Sequence, residues 1–95
     1  MPVLLALRSQ VKDYDVWKAN FDTGAAFVKQ QGVTASRVLR DLDAPDLVTV
    51  HHEFADASTA RAFVQLTKSD AFLEGPVKLG GVLAETVEMW VGEDV

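Results

Sequence analysis

The chain has no cysteine among its 95 residues. This absence excludes thiolate catalysis, disulfide bonds and every metal site that is built on cysteine. The start of the sequence, MPVLLALRSQV, also lacks the basic residues and the small-residue cleavage site of a secretory signal. We therefore expect a cytoplasmic protein that depends on its packed core for stability.

Long apolar runs and clusters of basic residues are missing as well. No stretch of about 18 apolar residues is present, which is the length that a helix needs to cross a bilayer. The net charge is −5, and no two Lys or Arg residues are adjacent, so the sequence offers no basic patch for a phosphate backbone. We expect neither a membrane nor a nucleic acid as partner.

The first half of the chain has the patterns of a strand, a helix and a hairpin within a single domain, residues 1–95. Residues 3–11, VLLALRSQV, begin with the apolar run of a strand that is buried on both faces in the middle of a sheet. Asp13 is the expected N-cap of one helix that ends at Gly32. Strands 33–42 and 47–54 form a hairpin around the turn residues 43–46.

The second half predicts a helix and a last strand. Asp56 caps the second helix, and its buried stripe consists of Ala60, Phe63, Val64 and Thr67. Ser69 begins a short helical turn that is expected to end at Gly75 and Pro76, followed by a flexible connector at 77–81 and a strand at 82–91.

This order of elements is the βαββαβ pattern of the ferredoxin-like fold, an α+β class with a four-stranded antiparallel sheet and both helices on one face. Because the first strand is apolar on both sides, a second sheet is expected to cover the helix-free face. The simplest source of that sheet is a second copy of the chain, so we expect a homodimer. His51 and Trp90 are expected at or near this interface.

The two histidines are adjacent, and adjacent residues of a strand point to opposite faces. His51 and His52 therefore cannot hold one ion together, and we predict no metal and no cofactor. With the turn at residues 43–46, Arg37 pairs with His52 on the helix side of the sheet. An arginine in that position would lower the pKa of His52 and leave a neutral base.

Aromatic residues recur along the first predicted helix and reappear on the second. They are either ordinary core or the wall of an apolar pocket, where they would be candidate ligand-binding residues. These candidates are Tyr14, Trp17, Phe21, Phe63 and Phe72. His52 and Arg37 are the candidate catalytic pair, a base and a charge that holds an anion. The alternative for His52 is a half-buried histidine that a neighbouring group satisfies. Asn20 is expected to be solvated.

Four short motifs resemble the dimeric α+β-barrel superfamily, and within it the small antibiotic-biosynthesis-monooxygenase-like and cyclase-like proteins. The motifs are Trp17-Lys-x-x-Phe21, Asp43-x-Pro45, Glu53-Phe54-Ala55-Asp56 and Ala60-x-x-Phe63. The resemblance runs over nearly the whole chain. It implies a homodimer with facing sheets and a cavity in each subunit between helices and sheet. Known members include cofactor-independent oxygenases of aromatic polyketides and haem-degrading enzymes.

The catalytic residues of these relatives do not transfer to this chain. Haem-degrading members use an asparagine on the first strand and a tryptophan and a histidine on or after the second helix, and stress-responsive members have a histidine on the first strand. The corresponding segments here have none of these residues. The leading hypothesis is therefore a homodimer that binds a small apolar or aromatic molecule, in the manner of a cofactor-independent monooxygenase. The alternatives are a non-enzymatic dimerisation or ligand-sensing module, and a cyclase or isomerase that uses the same pocket.

Overall fold

The structure, a computed structural model, describes residues 2–95. Its strands are β1 (Val3–Gln10), β2 (Val33–Arg40), β3 (Leu47–Phe54) and β4 (Glu88–Glu93), and its helices are α1 (Tyr14–Thr23), α2 (Ala25–Gln30), α3 (Ala57–Thr67) and α4 (Asp70–Phe72). The chain continues from α4 into a π-helical turn, Leu73–Val77, and a 3₁₀ turn, Ala84–Thr86, precedes β4. Within the described residues, no helix combines the length and the apolar character that crossing a membrane requires.

The four strands form one antiparallel sheet in the order β2-β3-β1-β4. The helices pack on one face of this sheet, so the predicted ferredoxin-like α+β fold is confirmed. The first strand lies in the middle of the sheet as predicted, because β1 pairs with both β3 and β4.

Burial alternates along β3, where every second residue from Val48 to Phe54 is buried. These side chains face the helices and join two clusters of buried apolar residues. The first cluster consists of Val3, Leu5, Val33, Phe54, Ala60 and Phe63. The second consists of Val11, Trp17, Val48 and Val50. His52 lies on β3 between these two clusters, in the middle of the covered face.

The single helix predicted between Asp13 and Gly32 is divided in two. Asp13 is the N-cap as predicted, since its carboxylate accepts hydrogen bonds from the backbone of Asp15 and Val16. The helix then breaks at Gly24, which separates α1 from α2. Glycine is a poor residue for a helix interior, and the Thr23 hydroxyl donates a 2.9 Å hydrogen bond to the Ala19 carbonyl, a contact that bends helices.

The predicted C-terminal boundaries are wrong in two places. Pro76 does not end the short helix, because the wider π-helical turn includes a residue that lacks a backbone N–H. The connector at 77–81 was expected to be flexible, but it packs against the rest of the chain. Gly80 is buried, and the Gly81 carbonyl accepts a 2.9 Å hydrogen bond from the backbone N–H of Lys12. The last strand begins at Glu88 instead of Val82.

The predicted register of the hairpin is wrong by one residue. Arg40 pairs with Val48, and Ser36, not Arg37, pairs with His52. The cause lies in Asp41, whose carboxylate accepts hydrogen bonds from the backbone of Asp43 and Ala44 and so draws the chain out of the strand. The connection between the strands is therefore longer than the predicted residues 43–46. A shift of one residue moves side chains to the opposite face of a strand.

Candidate functional site

A cavity of about 390 Å³ lies between the helices and the covered face of the sheet. This volume is within the range of about 300 to 1,000 Å³ that is typical of small-molecule pockets. Most of the wall is apolar, and every helix contributes to it. The wall comprises Leu7, Ser9, Trp17, Asn20, Phe21, Gly24, Phe27, Val28, Val50, His52, Phe63, Thr67, Lys68, Phe72, Leu73, Pro76, Val77, Val82, Ala84, Val87 and Met89.

A row of stacked and edge-on rings forms one side of this cavity. Trp17 stacks on Phe21 with ring centroids 5.2 Å apart, and Phe21 lies nearly parallel to the His52 ring at 6.1 Å. Phe63 and His52 meet edge to face, with ring centroids 5.3 Å apart. The structure thus brings Trp17, Phe21, Phe63 and Phe72 to the cavity wall. Their role in ligand binding stays a prediction.

Tyr14, the fifth aromatic candidate, does not line the cavity. Its ring lies 5.9 Å from Trp17, and the Arg40 guanidinium lies over it, with 4.0 Å between the guanidinium carbon and the ring centroid. This cation–π contact joins α1 to β2 at the end of the sheet. Tyr14 therefore supports Trp17 from outside the cavity.

His52 is the titratable residue of the cavity wall that the protein buries, with 4% of its surface exposed. Its Nδ1 atom lies 2.7 Å from the Ser36 hydroxyl, across the strand pair. Burial lowers the pKa of His52 to about 4, because desolvation disfavours the charged imidazolium. The ring is therefore neutral at physiological pH. Since Nδ1 is occupied by Ser36, Nε2 is the ring nitrogen that is left to meet an occupant of the cavity.

Arg37 is not beside His52, so the predicted pairing of these two residues is wrong. It pairs with His51 on the helix-free face, where its side chain is exposed. The predicted low pKa of His52 is present, but its cause is burial and not a neighbouring arginine.

Several polar residues of the site were not predicted, among them Ser36, Asn20 and Lys68. Ser36 was missed because its contact with His52 depends on the register. Asn20 was expected to be solvated, yet it lines the cavity, and its amide donates a 3.3 Å hydrogen bond to the Pro76 carbonyl. Its position three residues after Trp17, on the same helix face, was a readable signal. Lys68, at the end of α3, gave no such signal.

His51 and His52 point to opposite faces of β3, as predicted. Within residues 2–95, no three His, Asp or Glu side chains come together in a way that could hold a metal ion. The expectation that the protein works without metal or cofactor stays a prediction.

An antiparallel ferredoxin-like sheet that carries a cavity under its helices defines the structural class of this chain. No protein-family model and no curated protein matches it. Several solved structures, however, match the chain over almost its whole length. SnoaB, a cofactor-independent oxygenase from Streptomyces nogalater, is 20% identical with a TM-score of 0.75, and the match covers 99% of this chain and 93% of that one.

Two further structures have names that refer to antibiotic biosynthesis monooxygenases. A proposed member from Bordetella bronchiseptica is 16% identical, with a TM-score of 0.77 and coverage of 99% and 97% of the two chains. Another from Nitrosomonas europaea is 11% identical, with a TM-score of 0.72 and coverage of 99% and 90%. The chain therefore has the fold of the antibiotic biosynthesis monooxygenase-like proteins, in agreement with the resemblance of its motifs.

Proposed function

We propose that the protein is a homodimer that binds a small aromatic molecule in the cavity and oxidises it as a cofactor-independent monooxygenase. The observation that carries this proposal is the aromatic cavity of about 390 Å³ with the neutral, buried His52 in its wall. Flat rings such as those of Trp17 and Phe21 suit an aromatic ligand. The oxygenase named among the structural neighbours supports the same class of reaction.

The reaction that suits this wall is the oxidation of an acidic methylene group that is flanked by aromatic rings. His52 accepts one proton from the methylene through Nε2 while Ser36 holds Nδ1. The resulting carbanion reacts with dioxygen. One oxygen atom becomes a carbonyl oxygen, and the other leaves with the two methylene hydrogens as water, so dioxygen is the only oxidant required. The apolar wall keeps water from the anion.

The test is oxygen uptake with anthrone, a three-ring ketone that has such a methylene group. We expect the protein to accelerate uptake above the spontaneous rate, and His52→Ala to lower the acceleration by about 10²-fold, as is usual for the loss of a general base. His51→Ala is the matched control on the other face and should retain full activity. Because His52 is buried, His52→Gln serves as a second variant, and circular dichroism confirms that each variant is folded. Full activity in a folded His52 variant would falsify the base assignment.

A ligand-sensing module without catalysis is the second candidate function. A pKa of about 4 makes His52 a weak base, which favours a role as a hydrogen-bonding group that only orients a ligand. Quenching of Trp17 fluorescence in a Trp90→Phe background would then report anthrone binding without oxygen uptake. A cyclase or isomerase needs the same base, and conversion of a substrate without oxygen consumption would identify it.

The dimer in this proposal is formed through the helix-free face of the sheet. Two apolar residues of that face are half exposed in the single chain, Trp90 at 53% and Leu39 at 49%, and Ala6 of the central strand pairs with Trp90. Large apolar side chains that stay exposed on an uncovered sheet face favour an interaction site. A second copy would cover it with an identical apolar surface.

Sedimentation velocity tests the dimer. We expect a two-chain particle at micromolar concentration and a single folded chain in Trp90→Glu, because the substitution removes a half-exposed apolar side chain and introduces a carboxylate that must lose its water on association. Leu79→Glu is the control, since Leu79 is also an exposed apolar residue but is not part of the sheet. A wild-type protein that sediments as a folded single chain would contradict this part of the proposal.

A further inference from the structure

The charges on the cavity wall differ from those of the whole protein. The chain has 14 acidic and 9 basic residues, yet the wall contains no acidic residue and one basic residue, Lys68. His52, the other titratable side chain of the wall, is neutral at physiological pH. We infer that the cavity selects aromatic ligands that carry one anionic group, and that Lys68 binds this group at the rim. The inference rests on the proposed function, in that it requires the cavity to bind an aromatic molecule.

The backbone of Lys68 is held by a hydrogen bond, whereas its side chain forms no ion pair in the described part of the chain. It is the residue that ends α3, where its N–H donates a 3.1 Å hydrogen bond to the Gln65 carbonyl. The side chain is exposed although it contributes to the wall, which places it at the rim. In the described part of the chain, Lys18 and Lys78 form ion pairs with acidic neighbours and Lys68 does not. Its ammonium group is therefore available to a ligand.

A lone cation at an apolar rim has a stronger effect here than its single charge suggests. The protein as a whole carries a charge of −5 and repels anions, but a cleft with low-dielectric walls concentrates the field of the charge that it contains. A cationic ligand would find no carboxylate in the wall to pair with. The expected ligand lays its rings along Trp17 and Phe21 and presents a carboxylate or phenolate to Lys68.

A lysine at the end of a helix also has a purely structural use, because it interacts favourably with the helix dipole. Lys29 provides the comparison. It occupies the last turn of α2, another helix end beside the cavity, but it does not line the cavity. If Lys68 recognises the ligand, its substitution should change the affinity for anionic ligands only. If it only stabilises the helix, the effect should not depend on the charge of the ligand.

The experiment is calorimetric titration with 2-naphthoate and its neutral counterpart 2-naphthamide at pH 7.5 and low salt. We expect the wild-type protein to bind 2-naphthoate about fivefold more tightly, in the range of a partly exposed ion pair. Lys68→Gln should remove that preference and leave 2-naphthamide binding unchanged. Lys68→Arg should restore it, and Lys29→Gln should keep it. Added salt should reduce the preference in the wild-type protein.

The outcomes separate this inference from the proposed function. If both probes bind equally well to the wild-type protein, or if Lys68→Gln weakens both by the same factor, the role of Lys68 is wrong while the aromatic cavity stands. If neither probe binds at millimolar concentration, the proposed function fails and the inference fails with it. Thermal unfolding of each variant confirms that the comparison is made on folded protein.

Discussion

His51 and His52 are neighbours in the chain, but the sheet gives them opposite environments. His52 faces the helices, is buried between Phe21 and Phe63, and has its pKa lowered to about 4. His51 faces away from the helices, is half-buried and pairs with the exposed Arg37. One residue of separation on a strand therefore decides whether an imidazole belongs to a cavity or to an open surface.

The same difference extends over the two faces of the sheet. On the covered face, the side chains of β1 and β3 join the two buried clusters and the cavity. On the helix-free face, apolar residues such as Trp90 alternate with polar ones and stay exposed in the single chain. The covered face is thus buried within one chain, whereas the helix-free face leaves apolar side chains exposed.

The largest expected effect compares one aromatic residue from each face. Phe54 is fully buried, so Phe54→Ala should lower the free energy of unfolding by about 3–5 kcal/mol at every protein concentration. Trp90→Ala should weaken the proposed dimer, and its effect should disappear when the protein is diluted to single chains, where Trp90 is half exposed. Urea unfolding followed by circular dichroism over a range of concentrations measures both. A loss from Trp90→Ala that does not depend on concentration would show that Trp90 belongs to the core of one chain.

The second effect is the contribution of His52 to the dependence of stability on pH. Its pKa is about 4 in the folded protein and about 6.5 in the unfolded chain, so the unfolded chain binds more protons between these values. The free energy of unfolding should therefore be highest above pH 6.5 and should fall as the pH drops to about 4. A shift of this size corresponds to a loss on the order of 3 kcal/mol.

Carboxylates also titrate in this pH range, so the contribution of His52 is isolated by difference. His52→Gln should remove most of the slope between pH 6.5 and 4, and His51→Gln should retain it. Urea unfolding at a series of pH values gives the slopes. Equal slopes in the two variants would mean that burial does not distinguish the histidines.

A smaller effect compares two glycines. Gly32 has a φ angle of +97°, and a Cβ atom there would lie 2.5 Å from the Thr59 methyl carbon of α3. Gly32→Ala should therefore destabilise the protein by about 1–3 kcal/mol. Gly92 on β4 pairs with Leu4, and a Cβ atom there would meet nothing within 4 Å. Gly92→Ala should change the unfolding temperature little. A large drop in the unfolding temperature would show that other atoms surround Gly92 besides those of its own chain.

The fold could be predicted because it depends on patterns that are local and redundant. The apolar run of the first strand, the caps Asp13 and Asp56, and the end of the helical region before Gly32 each required only a few neighbouring residues. The alternation of β3 placed the two histidines on opposite faces without any knowledge of the partner strand. These features also agree with one another, and this agreement is typical of a sequence that specifies one structure.

The candidate site was less predictable because it depends on register and on distant segments. The hydrogen bonds of the Asp41 carboxylate shift the hairpin by one residue from the predicted register. Because of this shift, Ser36 lies beside His52 where Arg37 was predicted. Leu73, Pro76 and Val77 of the cavity wall come from the π-helical turn, where the proline suggested a helix end. A single residue thus decided which polar side chain of β2 meets His52.

The smallest expected effect on stability compares Ser36, which lies beside His52, with Arg37, which was predicted to lie there. Ser36→Ala removes the hydroxyl that lies 2.7 Å from Nδ1 of His52, so it should destabilise the protein by about 1 kcal/mol. Arg37→Gln lies one residue away on the helix-free face and should change stability by less than about 0.5 kcal/mol. Nitrogen NMR of the His52 ring adds a sharper measure, because the hydroxyl is a partner of one specific ring nitrogen. Ser36→Ala should change the Nδ1 shift and Arg37→Gln should not, since the register places their side chains on opposite faces. The reverse result would mean that the register predicted from the turn residues, with Arg37 beside His52, describes the protein in solution.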